Sequence, residues 1–167
     1  MLEEIKQYLG MIDDLHEQII ALLSGLTAEA LNWRPDAPEE GEGYNSLAAL
    51  AAHVAGAERF WSVEVIGGTP VKRDRPAEFK TVAQSPEPLI ENLRKVGEET
   101  RQALQDLSAD ALLEVKQVRE RTVPVRWAIL HLIDHAALHL GHMQITTQLY
   151  HHGKNHPNPR WFERQSS

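Results

Sequence analysis

The chain has 167 residues, enough for one ordinary domain, and its 42% hydrophobic and 25% charged residues are typical of a globular protein. It contains no cysteine, which excludes disulfides, thiolate nucleophiles and thiolate zinc sites. A formal charge of -7, with 17 basic residues scattered among 24 acidic ones, argues against binding to nucleic acid. Because the first ten residues lack a basic start, and the apolar-rich stretch 123–150 is interrupted by histidines, we expect a cytoplasmic protein without a membrane span.

The first element is predicted to be a long amphipathic helix. From Leu2 to Leu26, apolar residues recur at steps of three and four, which is the spacing of one helical face. A break begins near Thr27 and Ala28. The stretch from Trp33 to Gly43 is rich in proline, glycine and acids, and it is predicted to be a loop.

A second amphipathic helix is predicted to begin at Asn45 or Ser46, which are both good N-caps, and to end at Gly67-Gly68. A polar loop with two prolines follows. Ser85-Pro86 then provides a cap and a first-turn proline for a third helix. The inner face of this third helix is expected to carry Leu89, Leu93, Val96, Thr100 and Leu104.

Residues 108–122 are predicted to be a short helix plus a loop. The last helix is expected to run from Pro124 to about His152, before Gly153, and the tail after it to be irregular and able to pack through Trp161 and Phe162. Four helices with three connections predict an all-α fold, a four-helix bundle with little or no sheet, in a single domain over residues 1–167.

Four histidines fall on one side of the last helix. At about 100° per residue, their directions lie within about 80° of that of the first: His131, His135, His139 and His142. The same side continues through Trp127, Leu138, Ile145 and Leu149, so we expect it to face the bundle interior. Imidazoles four residues apart can converge on one divalent ion. Such pairs also arise by chance, so plain core histidines remain an alternative.

Three motifs follow one another in the chain. Leu31-Asn-Trp-Arg-Pro35 comes after the first helix, His53 with Trp61 lies on the second, and His135-Ala-Ala-Leu-His139-Leu-Gly-His142 lies on the last. In this order the motifs resemble the DinB-like (damage-inducible, YfiT-type) metalloprotein superfamily. The resemblance covers nearly the whole chain.

The resemblance implies that His53, His135 and His139 bind a divalent transition metal, with zinc or nickel favoured and iron or manganese as alternatives. His142 stands where the superfamily often has glutamine, which leaves a role as a fourth ligand or as a partner of a ligand open.

Three further residues are candidates to line the site or to face the substrate: His131, His16 and Glu58. Each also has a plain interpretation as a core or surface residue, and the same holds for Asp134 beside His135. His151, His152 and His156 are interpreted as structural residues at the helix end and in the tail.

Three imidazoles leave a coordination position for water or substrate. The resemblance favours a small-molecule reaction, either S-transfer with a low-molecular-weight thiol such as bacillithiol, mycothiol or glutathione, or hydrolysis by activated water. The alternative is a non-catalytic, metal-stabilised bundle that acts as a binding, sensing or dimerisation module. A homodimer is compatible with every one of these functions.

Overall fold

Four long helices make up most of the computed structural model, which describes residues 1–35 and 43–154. They are α1 (Glu3–Leu23), α3 (Leu47–Arg59), α5 (Glu87–Leu104) and α6 (Val125–Tyr150). Helices α1 and α3 each pack against both α5 and α6, so α1 and α3 take opposite corners of the bundle. The predicted all-α four-helix bundle is confirmed. None of the described helices is long and apolar enough to cross a membrane.

Two short helices and a π-helical segment lie between the long helices. Helix α2 (Ala28–Asn32) follows the predicted break, and the Thr27 hydroxyl caps it by accepting the Ala30 N–H at 3.2 Å. Helix α3 begins after Ser46, as predicted, and continues as a π-helix over Phe60–Ile66. Helix α4 (Arg75–Glu78) lies in what the sequence predicts to be a polar loop.

The connection before α6 is more regular than predicted. The expected short helix is a 3₁₀ turn over Ala111–Leu113, but the expected loop is an antiparallel hairpin of β1 (Val115–Val118) and β2 (Arg121–Pro124). The two-residue turn places Arg119 at a φ of 56°, in the left-handed region. Helix α6 follows Pro124 directly, as predicted, whereas the tail beyond Lys154, with Trp161 and Phe162, lies outside the described residues.

Two apolar clusters fill the bundle. One surrounds Leu23, Leu47 and Leu93, and the other surrounds Leu9 and Ile129. Between them lies a polar layer of four buried side chains: His16, Glu58, Ser62 and Thr100.

The polar layer is fully hydrogen-bonded within the described part of the chain. His16 Nε2 lies 2.6 Å from Glu58 Oε2, and the Thr100 hydroxyl donates to Glu58 Oε1 at 2.8 Å. Contacts between three helices, α1, α3 and α5, therefore meet at one carboxylate.

Candidate metal centre

Three histidines from two helices converge beside the polar layer. His53 comes from α3, and His135 and His139 are one turn apart on α6, which packs against α3. One ring nitrogen of each lies within 4.8 Å of the other two. The ring centroids are 5.0 Å apart for His53 and His135, 4.9 Å for His53 and His139, and 4.5 Å for His135 and His139. We refer to these residues as the histidine triad.

The triad imidazoles are neutral near pH 7. Burial, together with repulsion from neighbouring histidines when they are protonated, lowers the pKa of His135 to about 3 and that of His139 to about 4. Burial also lowers the pKa of His53, against the opposing effect of Glu78. Their lone pairs are therefore available to a cation without prior loss of a proton.

Glu78 binds the ring nitrogen of His53 that does not face His135. The Nδ1–H of His53 donates to Glu78 Oε2 at 2.8 Å, which leaves the lone pair on Nε2, and that atom lies 3.2 Å from His135 Nε2. Arg73 fixes the same carboxylate with two bonds of 2.7 and 2.9 Å. Such a carboxylate orients a ligand imidazole and increases its basicity.

Glu78 and Arg73 are absent from the candidates that the sequence suggests. A local signal exists, because the Asp74 side chain caps α4 by accepting the Ala77 N–H at 3.0 Å, and Pro76 lies in the first turn. Asp74 followed by Pro76 therefore indicates a short helix where we predict a loop. That Glu78 at its end reaches His53 depends on tertiary packing.

The histidine face of α6 is less buried than predicted. Trp127, Leu138, Ile145 and Leu149 are 46%, 55%, 56% and 51% exposed, so this side does not face the interior. The buried side carries Ile129, Leu132, Ala136, Leu140 and Met143 instead. The triad lies at the border between the buried and the exposed side of α6. A ligand held by the triad is therefore bounded by protein on one side and by an open cleft on the other.

His131 and His142 flank the triad without joining it. His131 stacks on Trp127, with centroids 5.1 Å apart and planes 15° apart, and it meets Trp61 edge to face at 5.0 Å. Its ring centroid is 5.7 Å from that of His135, and burial lowers its pKa. His142 is exposed, and its Nδ1 lies 3.4 Å from Nδ1 of His139.

His16 and Glu58 pair with each other in the polar layer rather than with a triad imidazole. Burial alone would lower the pKa of His16, but the hydrogen bond and charge of Glu58 outweigh it, and the pKa is raised. Asp134 is exposed, and His151 and His152 lie at the end of α6, whereas His156 lies outside the described residues.

A cleft of about 740 Å³ opens beside the triad. His53 and His135 line it together with Trp61 and Trp127, whose ring centroids are 5.7 Å apart. We refer to it as the triad cleft. It gives a small molecule access to two of the three imidazoles.

Solved structures support the same fold. A DinB-like protein from Bacillus cereus, 21% identical, aligns over 87% of this chain and 92% of its own with a TM-score of 0.69. A conserved protein from Enterococcus faecalis, 19% identical, aligns over 89% and 98% with a TM-score of 0.69. A DinB-like protein from Bacillus subtilis, 14% identical, aligns over 96% and 99% with a TM-score of 0.62.

Comparison of the sequence with family models gives a match over residues 7–151 to the mycothiol-S-transferase model. No curated protein matches the chain. The resemblance to the DinB-like superfamily is confirmed by the family model and the solved structures together. The chain belongs to the mycothiol-S-transferase family.

Proposed function

We propose that the protein is a metal-dependent thiol S-transferase whose metal is held by His53, His135 and His139. The observation that carries the proposal is the convergence of three neutral imidazoles, within 4.8 Å of one another, beside an open cleft. The family description, which names mycothiol as the thiol, supports S-transfer over hydrolysis.

The donor set fits a divalent transition metal. Imidazole nitrogen suits zinc and nickel, as well as iron, and three protein ligands leave a position for a substrate. Glu78 supports the fit from the protein side, because its bond to His53 Nδ1 leaves Nε2 free to bind. A bound divalent metal would supply Lewis acidity, which lowers the pKa of a thiol that reaches it.

The rest of the chemistry follows from the chain itself. Since the protein has no cysteine, the sulfur nucleophile must come from a cosubstrate. In the transfer, the thiol loses its proton to water, its sulfur bonds to an electrophilic carbon of the acceptor, and the leaving group departs with its electron pair. Trp61 and Trp127 provide an apolar wall for the acceptor and keep water from one side of the cleft.

The test measures bound metal and transfer in the same preparations. Untagged protein, His53→Ala and His135→Ala are analysed by elemental mass spectrometry and assayed with mycothiol, bacillithiol and glutathione against a chloronitrobenzene. His152→Ala, exposed at the end of α6, is the matched control. We expect one metal per chain and S-transfer in the wild type and the control, and the loss of both in the two triad variants.

Two outcomes would contradict the proposal. If the wild type holds no metal after reconstitution with zinc or nickel, the triad is not a metal site. If it holds metal but conjugates none of the thiols, the non-catalytic binding or sensing module remains, and hydrolysis would be tested next.

We also retain the homodimer as a proposal. Leu138, Ile145 and Leu149 leave an exposed apolar stripe on α6, each being at least half exposed. Sedimentation of the wild type beside Leu138→Lys measures whether this stripe joins two chains, and equal sedimentation as monomers would contradict it.

A further inference from the structure

The lining of the triad cleft is rich in arginine. Arg73 and Arg75 come from the connection after the π-helix and from α4, and Arg119 and Arg121 come from the hairpin. The cleft has a single acidic lining residue, Glu120, among the described residues. This concentration of positive charge contrasts with a formal charge of -7 for the whole chain.

Among the described residues, three of the four guanidinium groups have no carboxylate partner. Arg73 is bound by Glu78 through two hydrogen bonds, so its charge is neutralised locally. Arg75 lies over the Phe79 ring, 5.0 Å from the centroid. Within the described residues, neither it nor Arg119 nor Arg121 forms an ion pair.

The hairpin brings two of these charges to the cleft. Arg121 begins β2 and is paired with Val118, and Arg119 lies in the turn with a φ of 56°. This backbone conformation favours glycine or asparagine, yet the turn carries an arginine. The Gln117 side chain donates to the Arg119 carbonyl at 2.6 Å, which holds the turn in place.

Resting on the proposed function, we propose that Arg75, Arg119 and Arg121 bind an anionic group, a carboxylate or a phosphate, of the small molecule that reacts at the triad. Arginine presents paired N–H donors that match both kinds of group. The aromatic wall of the cleft lies within the same volume, so the ligand combines an anionic group with an apolar or aromatic part.

Direct binding tests this without reference to catalysis. Calorimetry with benzoate, phenyl phosphate and neutral benzamide is performed on the metal-loaded protein and on protein stripped by a chelator. We expect at least one of the two anions to bind the loaded protein about tenfold more tightly than benzamide, as for charged hydrogen bonds. The stripped protein should keep the same preference for that anion over benzamide, and the binding of the anion should weaken at high salt. Which anion binds more tightly distinguishes carboxylate from phosphate.

Variants assign the preference to residues. The double variant Arg119→Gln, Arg121→Gln and the single variant Arg75→Gln should reduce the preference for the anion about tenfold or more. Arg94→Gln, which replaces an exposed arginine of α5 outside the cleft, should leave it unchanged. Equal binding of the anions and benzamide to the wild type, or a preference that survives in both variants, would overturn the proposal.

Kinetics shows which substrate carries the charge. One arm compares 4-chloro-3-nitrobenzoate with its amide as acceptor, and the other compares N-acetylcysteine with its amide as thiol. We expect KM to rise in the double variant for the anionic member of one pair, with kcat nearly unchanged. Transfer with no charge preference in either pair contradicts the anion site and leaves the S-transferase standing. Tight anion binding without any transfer contradicts the S-transferase and leaves the anion site standing.

Discussion

Replacing Gly56 by alanine tests how closely Glu78 must approach His53. A Cβ built on Gly56 would lie 2.7 Å from Glu78 Cδ and would overlap Oε1, so the carboxylate has to move. The movement breaks its bonds to His53, at 2.8 Å, and to Arg73, at 2.7 Å. Loss of a carboxylate behind a ligand histidine typically weakens metal binding 10–100-fold, or about 1.4–2.8 kcal/mol.

The assay is competition for zinc and nickel with a chromogenic chelator, performed on Gly56→Ala and on Glu78→Gln. Gly10→Ala is the matched control, since a Cβ at Gly10 meets no atom within 4 Å. Replacing glycine by alanine in a helix interior normally stabilises a protein by about 1 kcal/mol. The control should therefore unfold at a higher urea concentration than the wild type and retain its metal affinity. We expect both site variants to bind metal at least tenfold more weakly than the control. Wild-type affinity in Glu78→Gln would refute the role of the carboxylate, and wild-type affinity in Gly56→Ala alone would refute the steric argument.

Four further predictions follow from the buried histidines. Because the pKa values of His135 and His139 are lowered to about 3 and about 4, zinc binding should stay nearly constant from about pH 8 to about 5 and weaken only below that. Because of the same lowered pKa values, the unfolded chain binds more protons than the folded one below about pH 6.5. The stability of the metal-free protein in urea should therefore fall as the pH drops below that value. Glu58→Gln should lower the free energy of unfolding by about 3 kcal/mol, because it breaks a buried pair. Since the pKa of His16 is raised, this loss of stability should be largest below about pH 6.5 and shrink as the pH rises. Gly97→Ala should destabilise by about 1–3 kcal/mol, because its Cβ would lie 2.8 Å from Nδ1 of the rigid His16 ring.

Each of these predictions has an outcome that would contradict it, and for the metal-free protein that outcome is equal stability in urea at pH 7 and pH 5. Zinc release with a midpoint near pH 6.5 would contradict the lowered pKa values. Glu91→Gln, an exposed acid on α5, should leave stability unchanged, and a Glu58→Gln loss that is equal at pH 6 and pH 9 would contradict the ionised pair. If Gly97→Ala is stabilised as Gly10→Ala is expected to be, the contact with His16 is not tight.

The sequence predicts those features that depend on neighbouring residues along a helix. The periodicity from Leu2 to Leu26 and the cap at Ser46 are local, and so is the one-turn spacing of His135 and His139. These are the parts of the fold and of the candidate site that are found where expected.

Features that depend on contacts between distant elements are not predicted by the residues alone. His53 meets His135 across 82 positions, and only the family resemblance links the two. Glu78 reaches His53 from a helix that is four residues long, and Gly56 makes room for it. No periodicity encodes such contacts.

The face of α6 shows a second limit. Periodicity gives the angle between Leu138 and Leu140 around the helix but not which of them a neighbouring helix covers. Since α6 is apolar on more than one side, the pattern does not distinguish the buried face carrying Leu140 from the exposed one carrying Leu138.

The polar layer has a consequence for the alignment of the helices. Contacts between apolar side chains persist when one helix slides along another. His16 and Thr100, by contrast, reach Glu58 only when α1 and α5 lie at one position along the axis of α3. A slip of one helical turn, about 5.4 Å, would leave these groups buried without partners. Glu58 lies five residues after His53 on α3, so the contacts that fix α1 and α5 in register also fix the height at which His53 faces α6.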